Sequence, residues 1–177
     1  MTDRRAAIEL RPLARAELSS LEAAWPSHGV HEAHLRRQQL GEATYLVAWQ
    51  GVEPLGSAMA FWAGPLAEVT RAAYPDVVEI AHLQVRGEHR GKGVGTALVR
   101  AAEEHARDRG HGAVGLGVGL DNPDAVRLYE RLGYVSTGVV STTTYSYRDT
   151  EGMERTATEE DELLVKRLDG GDGIVER

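Results

Sequence analysis

Eleven residues near the middle of the chain are dense in groups that can do chemistry. From Arg86 to Thr96 they read Arg-Gly-Glu-His-Arg-Gly-Lys-Gly-Val-Gly-Thr, with Gly91, Gly93 and Gly95 at alternate positions. Alternate glycines let a backbone turn with its N–H groups converging and no Cβ in the way of a close ligand. A helix that begins at such a turn adds unpaired N–H groups and the positive end of its dipole. The combination suits a pyrophosphate, and Arg86, Arg90 and Lys92 outweigh Glu88 around it. Two other phosphate motifs are excluded. A Walker A loop needs glycine where Arg86 stands and Ser or Thr where Gly93 stands, and the pattern G-x-G-x-x-G fails at Thr96 and at Leu98.

The strand expected just before this turn, residues 77–85, carries two proton-transfer groups, Glu79 and His82. Period-two alternation puts Glu79 with Ala81, Leu83 and Val85, and His82 on the other face with Ile80 and Gln84. The chain has no cysteine, which removes disulfides, thiolate metal sites and a cysteine nucleophile together. His28, His31 and His34 lack a partner cysteine or carboxylate set at ligand spacing, so no metal is expected.

The elements that must position these groups follow from hydrophobic spacing. Residues 93–109 give the strongest helix, with Val94, Leu98, Val99, Ala102 and Ala106 as its apolar stripe and Gly110 ending it. Helices are also expected over 13–25, 30–40 and 123–132, and a turn or two of helix within 66–74. Strands are expected over 8–11, 44–49, 55–62, 77–85, 113–118, 134–147 and 163–168. This order predicts an α/β protein with one mixed sheet and helices on both faces.

Arg90-x-x-Gly93-x-Gly95, after Leu83-Gln84-Val85, resembles the acetyl-CoA pyrophosphate loop of the GNAT superfamily of N-acetyltransferases. A second block, Asn122-Pro-Asp-Ala125-Val-Arg-Leu128-Tyr129-Glu-Arg-Leu132-Gly133-Tyr134, is similar to that family's Asn, Ala, Tyr and Gly-aromatic pattern. The resemblance covers residues 8–168, and its specific part is 79–134. It implies a mixed, mostly antiparallel sheet of about seven strands flanked by helices on both faces, in one domain over 1–168 with a polar tail at 169–177. It also implies acetyl-CoA as cosubstrate. Backbone N–H groups of Arg90, Gly91, Lys92, Gly93, Val94, Gly95 and Thr96 would hold the pyrophosphate. Leu83, Gln84 and Val85 would pair with the pantetheine arm like an added strand, and an N–H near Val85 would polarise the thioester carbonyl. Asn122 would bond the pantetheine side, a role compatible with capping the helix at Pro123. Tyr129 matches the group that faces the departing thiolate. Glu79 stands where several members carry a catalytic glutamate; His82 and water are the other candidate bases.

The net charge is −7, which argues against general nucleic-acid binding. Residues 149–162 hold seven acids and one base, so almost all of the excess lies there. That segment is either a negative rim that gathers a cationic acceptor, such as a polyamine, aminoglycoside or lysine-bearing peptide, or a solvated loop. Tyr145 and Tyr147, with Trp25 and the cluster of His28, His31 and His34, are candidates to line the acceptor pocket. No secretory h-region or spanning apolar run is visible, so a cytoplasmic protein without membrane partner is expected, as monomer or homodimer. The reaction expected is direct acetyl transfer to a small-molecule or peptide amine. The alternatives are a non-catalytic acyl-CoA sensor and a protein-interaction module.

Overall fold

Gly51, at φ +63, and Val52 reverse the chain in two residues between Gln50 and Glu53. This is the hairpin expected where glycine supplies a positive φ at the first turn position. The computed structural model describes residues 7–148 and 153–168. In chain order the elements are β1 (Ile8–Pro12), α1 (Leu18–Ala24), α2 (Val30–Gln39), β2 (Ala43–Gln50), β3 (Glu53–Phe61), α3 (Glu68–Ala73), β4 (Val78–Val85), α4 (Val94–Asp108), β5 (Ala113–Gly119), α5 (Pro123–Arg131), β6 (Val135–Arg148) and β7 (Glu154–Arg167). A short 3-10 turn, Arg15–Glu17, leads into α1.

The strands form a seven-stranded sheet in the order β1-β2-β3-β4-β5-β7-β6. Its neighbours are antiparallel except β4 and β5. One face is sealed by α4, whose Val94, Leu98, Val99, Ala102 and Ala106 are all buried, and by Val126 and Tyr129 of α5. The opposite face packs Leu21 of α1 and Leu35 of α2 onto Tyr45, Val47, Met59 and Phe61.

β4 and β5 pair only at Val78↔Val114 and Glu79↔Gly115 and then part. From there β4 runs on toward the glycine turn with β3 as its only strand neighbour among the described residues.

The simple alternation expected along β4 fails after Ala81. Its register with β3 shifts between Ser57 and Met59, and His82 takes a left-handed φ of +51. This is a β-bulge, whose extra residue turns the following side chains over. Leu83 and Val85 therefore join Val78 and Ile80 against the α4 side, not Glu79. The His82 ring comes instead to the face of Glu79 and Ala81, with its centroid 6.0 Å from that of Phe61. A left-handed non-glycine residue costs about 1–3 kcal/mol, which the surrounding pairing must hold in place.

Gly56 in β3 admits that bulged strand. A Cβ there would lie 2.5 Å from the Gln84 carbonyl oxygen and 3.2 Å from Val85 Cα, both backbone atoms that cannot rotate aside. Gly56→Ala is expected to cost about 1–3 kcal/mol of stability and to weaken acetyl-CoA binding by displacing β4. Thermal unfolding and calorimetric titration of the variant check both effects.

The segment 149–162, expected to lie between strands, is mostly strand itself. β7 begins at Glu154, nine residues before the expected start, and pairs with β6 out to Arg148↔Glu154. Over 154–160, ahead of Asp161, which faces Gly119 of β5, β7 has β6 as its only strand neighbour among the described residues, so the pair forms a two-stranded ribbon. Asp149 and Glu151 lie outside the described residues, as does the tail 169–177. Among the described residues no helix is long and apolar enough to cross a membrane.

Candidate active site

At the open end of the gap between β4 and β5 the chain turns through Gly91 (φ +72) and Gly93 (φ +81) into α4. A built Cβ at either glycine meets nothing within 4 Å, so space is not what requires glycine. The left-handed backbone is. α4 has no side-chain cap at its amino end, which leaves its first N–H groups facing the turn. Arg90 departs from the expected N–H cradle. Its backbone N–H donates to the Gly87 carbonyl at 3.3 Å. Its side chain folds back instead, with Nε donating to the Val85 carbonyl at 3.1 Å. His89 sits beside the turn, 3.1 Å from a Glu53 carboxylate oxygen.

A cleft of about 500 Å³ follows β4 at this end. Leu83, Gln84, Val85, Arg86 and Arg90 line it, joined by Trp25 from the carboxyl end of α1. Its place beside the parted strand and the glycine turn suits an extended chain ending in a pyrophosphate. Two larger hollows, about 840 and 710 Å³, border α2 and touch neither β4 nor the turn. Both are lined by Glu32 and Arg36 of α2.

α5 leaves the carboxyl end of β5. Asn122 caps it, accepting the Ala125 N–H at 3.1 Å, and Pro123 occupies its first turn. The capping role is thus occupied by Oδ1, and Asn122 stays exposed. Tyr129 packs half-buried against the α4-side core, its ring edge-to-face with Tyr134 at 5.9 Å. Among the described residues its hydroxyl has no hydrogen bond, and burial raises its pKa above the usual phenol value. Tyr134 is held from behind: its hydroxyl donates to the buried Glu103 carboxylate at 3.0 Å, which also takes Lys166 Nζ at 2.9 Å.

The other face of the gap carries the acids. Glu79 shares its face with Gly115, Gly117 and Gly119 of β5, and through them with Leu163 and Asp161 of β7. Its Oε2 accepts the Leu66 N–H at 2.5 Å. Burial raises the Glu79 pKa, and the Asp161 charge adds to the rise. Asp161 is raised by burial, Glu159 and Asp121. Alternation divides the acidic strand. Glu159 and Asp161 fall on the Glu79 face, while Glu160 and Glu162 fall on the other. Tyr145 donates to Glu159 at 2.7 Å.

The three early histidines separate. His28 is exposed, and His31 is buried with Nδ1 2.6 Å from the Tyr45 hydroxyl and Nε2 2.9 Å from the Trp25 carbonyl. His34 lies against the His82 ring at 4.9 Å. That contact joins α2 to β4 across 48 positions of sequence, and no local signal announces it.

A parted parallel strand pair, a glycine turn opening a helix and a half-buried tyrosine on the next helix thus belong to one seven-stranded mixed α/β fold. Comparison with known proteins agrees. The family model described as acetyltransferase (GNAT) family matches residues 10–134, and the chain belongs to that family. An uncharacterized N-acetyltransferase of Methanocaldococcus jannaschii is 43% identical over 65 residues, covering 37% of this chain and 29% of that protein. A streptothricin acetyltransferase of Streptomyces lavendulae is 37% identical over 75 residues, covering 42% of this chain and 40% of that one. These matches thus span less than half of either relative. Among solved structures, a GNAT family acetyltransferase from Elizabethkingia anophelis with acetyl-CoA bound superposes with a TM-score of 0.57. It is 18% identical and covers 90% of this chain and 97% of that one. The family supports acetyl transfer, and acetyl-CoA as the cosubstrate.

Proposed function

We propose that this protein moves the acetyl group of acetyl-CoA directly to a primary amine that is cationic in solution. The observation that carries this reading is the gap between β4 and β5, with the Gly91–Gly93 turn at its mouth and Glu79 and Asp161 on one face. Gly91, Lys92, Gly93, Val94, Gly95 and Thr96 receive the pyrophosphate through backbone N–H groups, with Arg90 contributing charge. Leu83, Gln84 and Val85 flank the pantetheine, and Asn122 holds the start of α5 beside it. With no cysteine in the chain, no cysteinyl acyl-enzyme forms.

An alkyl ammonium with a pKa near 10.4 needs about 4.6 kcal/mol to lose its proton at neutral pH. Free of it, the amine nitrogen attacks the thioester carbonyl carbon, the C–N bond forms and the C–S bond breaks. The thiolate leaves against Tyr129. Phenol and thiol pKa values near 10 and 8.5 put full transfer from tyrosine uphill by about 2 kcal/mol, and burial of Tyr129 widens the gap. Tyr129 therefore acts as a hydrogen-bond donor to the departing sulfur. Glu79, Asp161 and Glu159 attract the cationic acceptor.

Calorimetric titration with acetyl-CoA, then free-CoA release with spermidine, an aminoglycoside and a lysine peptide, tests the reading. Saturable binding is expected, with turnover on a cationic amine whose kcat/KM falls as salt rises. Binding with no turnover on any of the three favours a sensor. Absence of binding overturns the assignment of the glycine turn.

A further inference from the structure

We propose that His82, not Glu79, takes the proton from the acceptor, with His34 as the residue that positions it. This rests on the acetyl-transfer reading above. The β4 bulge brings His82 onto the Glu79 face, three residues past the last β4–β5 pair and so within the parted region. Its ring is exposed on one side and packed on the other against His34 and Phe61. Among the described residues neither His82 ring nitrogen has a hydrogen-bond partner, which leaves both free for an acceptor. Glu79 is placed otherwise. It stands on the last pair, at the closed end of the gap, and one of its oxygens is committed to the Leu66 N–H.

The charged and titratable surroundings favour a neutral resting imidazole. From α2, His34 and Arg37 face His82, with His31 and Tyr45 behind His34. Glu42 pairs with Arg37 at 3.5 Å, and no carboxylate contacts either ring among the described residues. Burial, then the Arg37 charge, lowers the His82 pKa below the usual imidazole value. His34 is pushed down to about 4, by burial first and then by His82, His31 and Arg37. Among the described residues His34 Nδ1 is buried without a hydrogen-bond partner, and the ring is held between Tyr45 at 5.0 Å and His82 at 4.9 Å as a neutral platform.

In the proposed step the ammonium proton moves to a His82 ring nitrogen and the nitrogen lone pair attacks the carbonyl carbon. The imidazolium returns its proton to solvent. The second N–H proton is lost as the C–S bond breaks, and the thiolate is protonated, so one proton is released per turnover.

The test compares His82→Asn with Glu79→Gln, since asparagine tolerates the left-handed backbone. CoA release is followed from pH 6 to 9 with spermidine and with water alone as nucleophile, and acetyl-CoA affinity reports an intact fold. His82→Asn is expected to keep acetyl-CoA affinity within about twofold and lose about 100-fold in kcat/KM at pH 7. Its spermidine rate should then climb about tenfold per pH unit, because only amine already deprotonated in solution reacts. Wild type and Glu79→Gln should instead be nearly flat above pH 7, Glu79→Gln with a raised KM. His34→Phe should retain most of the activity, and His34→Ala much less. If His82→Asn keeps the wild-type profile, or Glu79→Gln acquires the climbing one, the inference is wrong while acetyl transfer stands. A wild type that releases no CoA above background with spermidine, the aminoglycoside or the lysine peptide overturns both.

Discussion

Tyr129→Phe should lower kcat by about 100-fold while leaving acetyl-CoA affinity unchanged. The phenol ring packs against the α4-side core and edge-to-face on Tyr134, and phenylalanine keeps both contacts. Only the hydroxyl is lost, and it has no partner within the described residues. Ground-state packing should therefore survive, and the loss should fall on the step in which charge builds on sulfur. A single preorganised donor to a developing anion is worth about 10²–10³ in rate. Steady-state kinetics with acetyl-CoA and a leaving-group series separate the cases: the penalty should shrink as the thiol becomes more acidic. A penalty independent of the leaving thiol, or a fall in acetyl-CoA affinity of the same size, would mean that the hydroxyl is structural.

The largest loss of stability is expected at Glu103. This residue is 3% exposed and accepts from Lys166 Nζ at 2.9 and 3.0 Å and from the Tyr134 hydroxyl at 3.0 Å. Arg107 is a more distant neighbour at 3.8 Å. Removing the carboxylate strands a half-buried ammonium and a buried hydroxyl together. Glu103→Ala should cost about 3 kcal/mol, which for a chain of this length lowers Tm by roughly 6–12 °C. Glu103→Gln retains an acceptor for Tyr134 and should recover part of it. The pair Glu103→Leu with Lys166→Leu should lie closer to wild type than Glu103→Ala, because replacing both charges leaves neither unpaired. A double variant as unstable as Glu103→Ala would shift the explanation to packing volume.

The glycine turn of the candidate site was legible in the sequence because its geometry is local. Gly91 and Gly93 are glycines for a backbone reason, and the apolar stripe of α4 begins at the same place. Tyr129 and Asn122 were legible through a second local block. The proton-transfer end was not. Whether His82 faces Glu79 depends on one extra residue in β4, and that residue is set by pairing with β3 and by the notch at Gly56. Alternation alone put His82 on the wrong face. The early part of β7 escaped for a different reason. Residues 154–160 carry hardly any apolar side chains and are exposed nearly throughout, and hydrophobic period is the signal by which strands are recognised. The stacking of His34 on His82 had no sequence signal, being a contact between elements that only the fold brings together.

Two rungs of pairing are all that join β4 to β5, so the sheet is mechanically two plates meeting at a seam. One plate is β1 to β4, backed by α4; the other is β5, β7 and β6. Glu103 rides on the helix that backs the first plate, and Lys166 belongs to the second. Their bond, with Tyr134 clasped in it, is therefore a tie-bar across the seam.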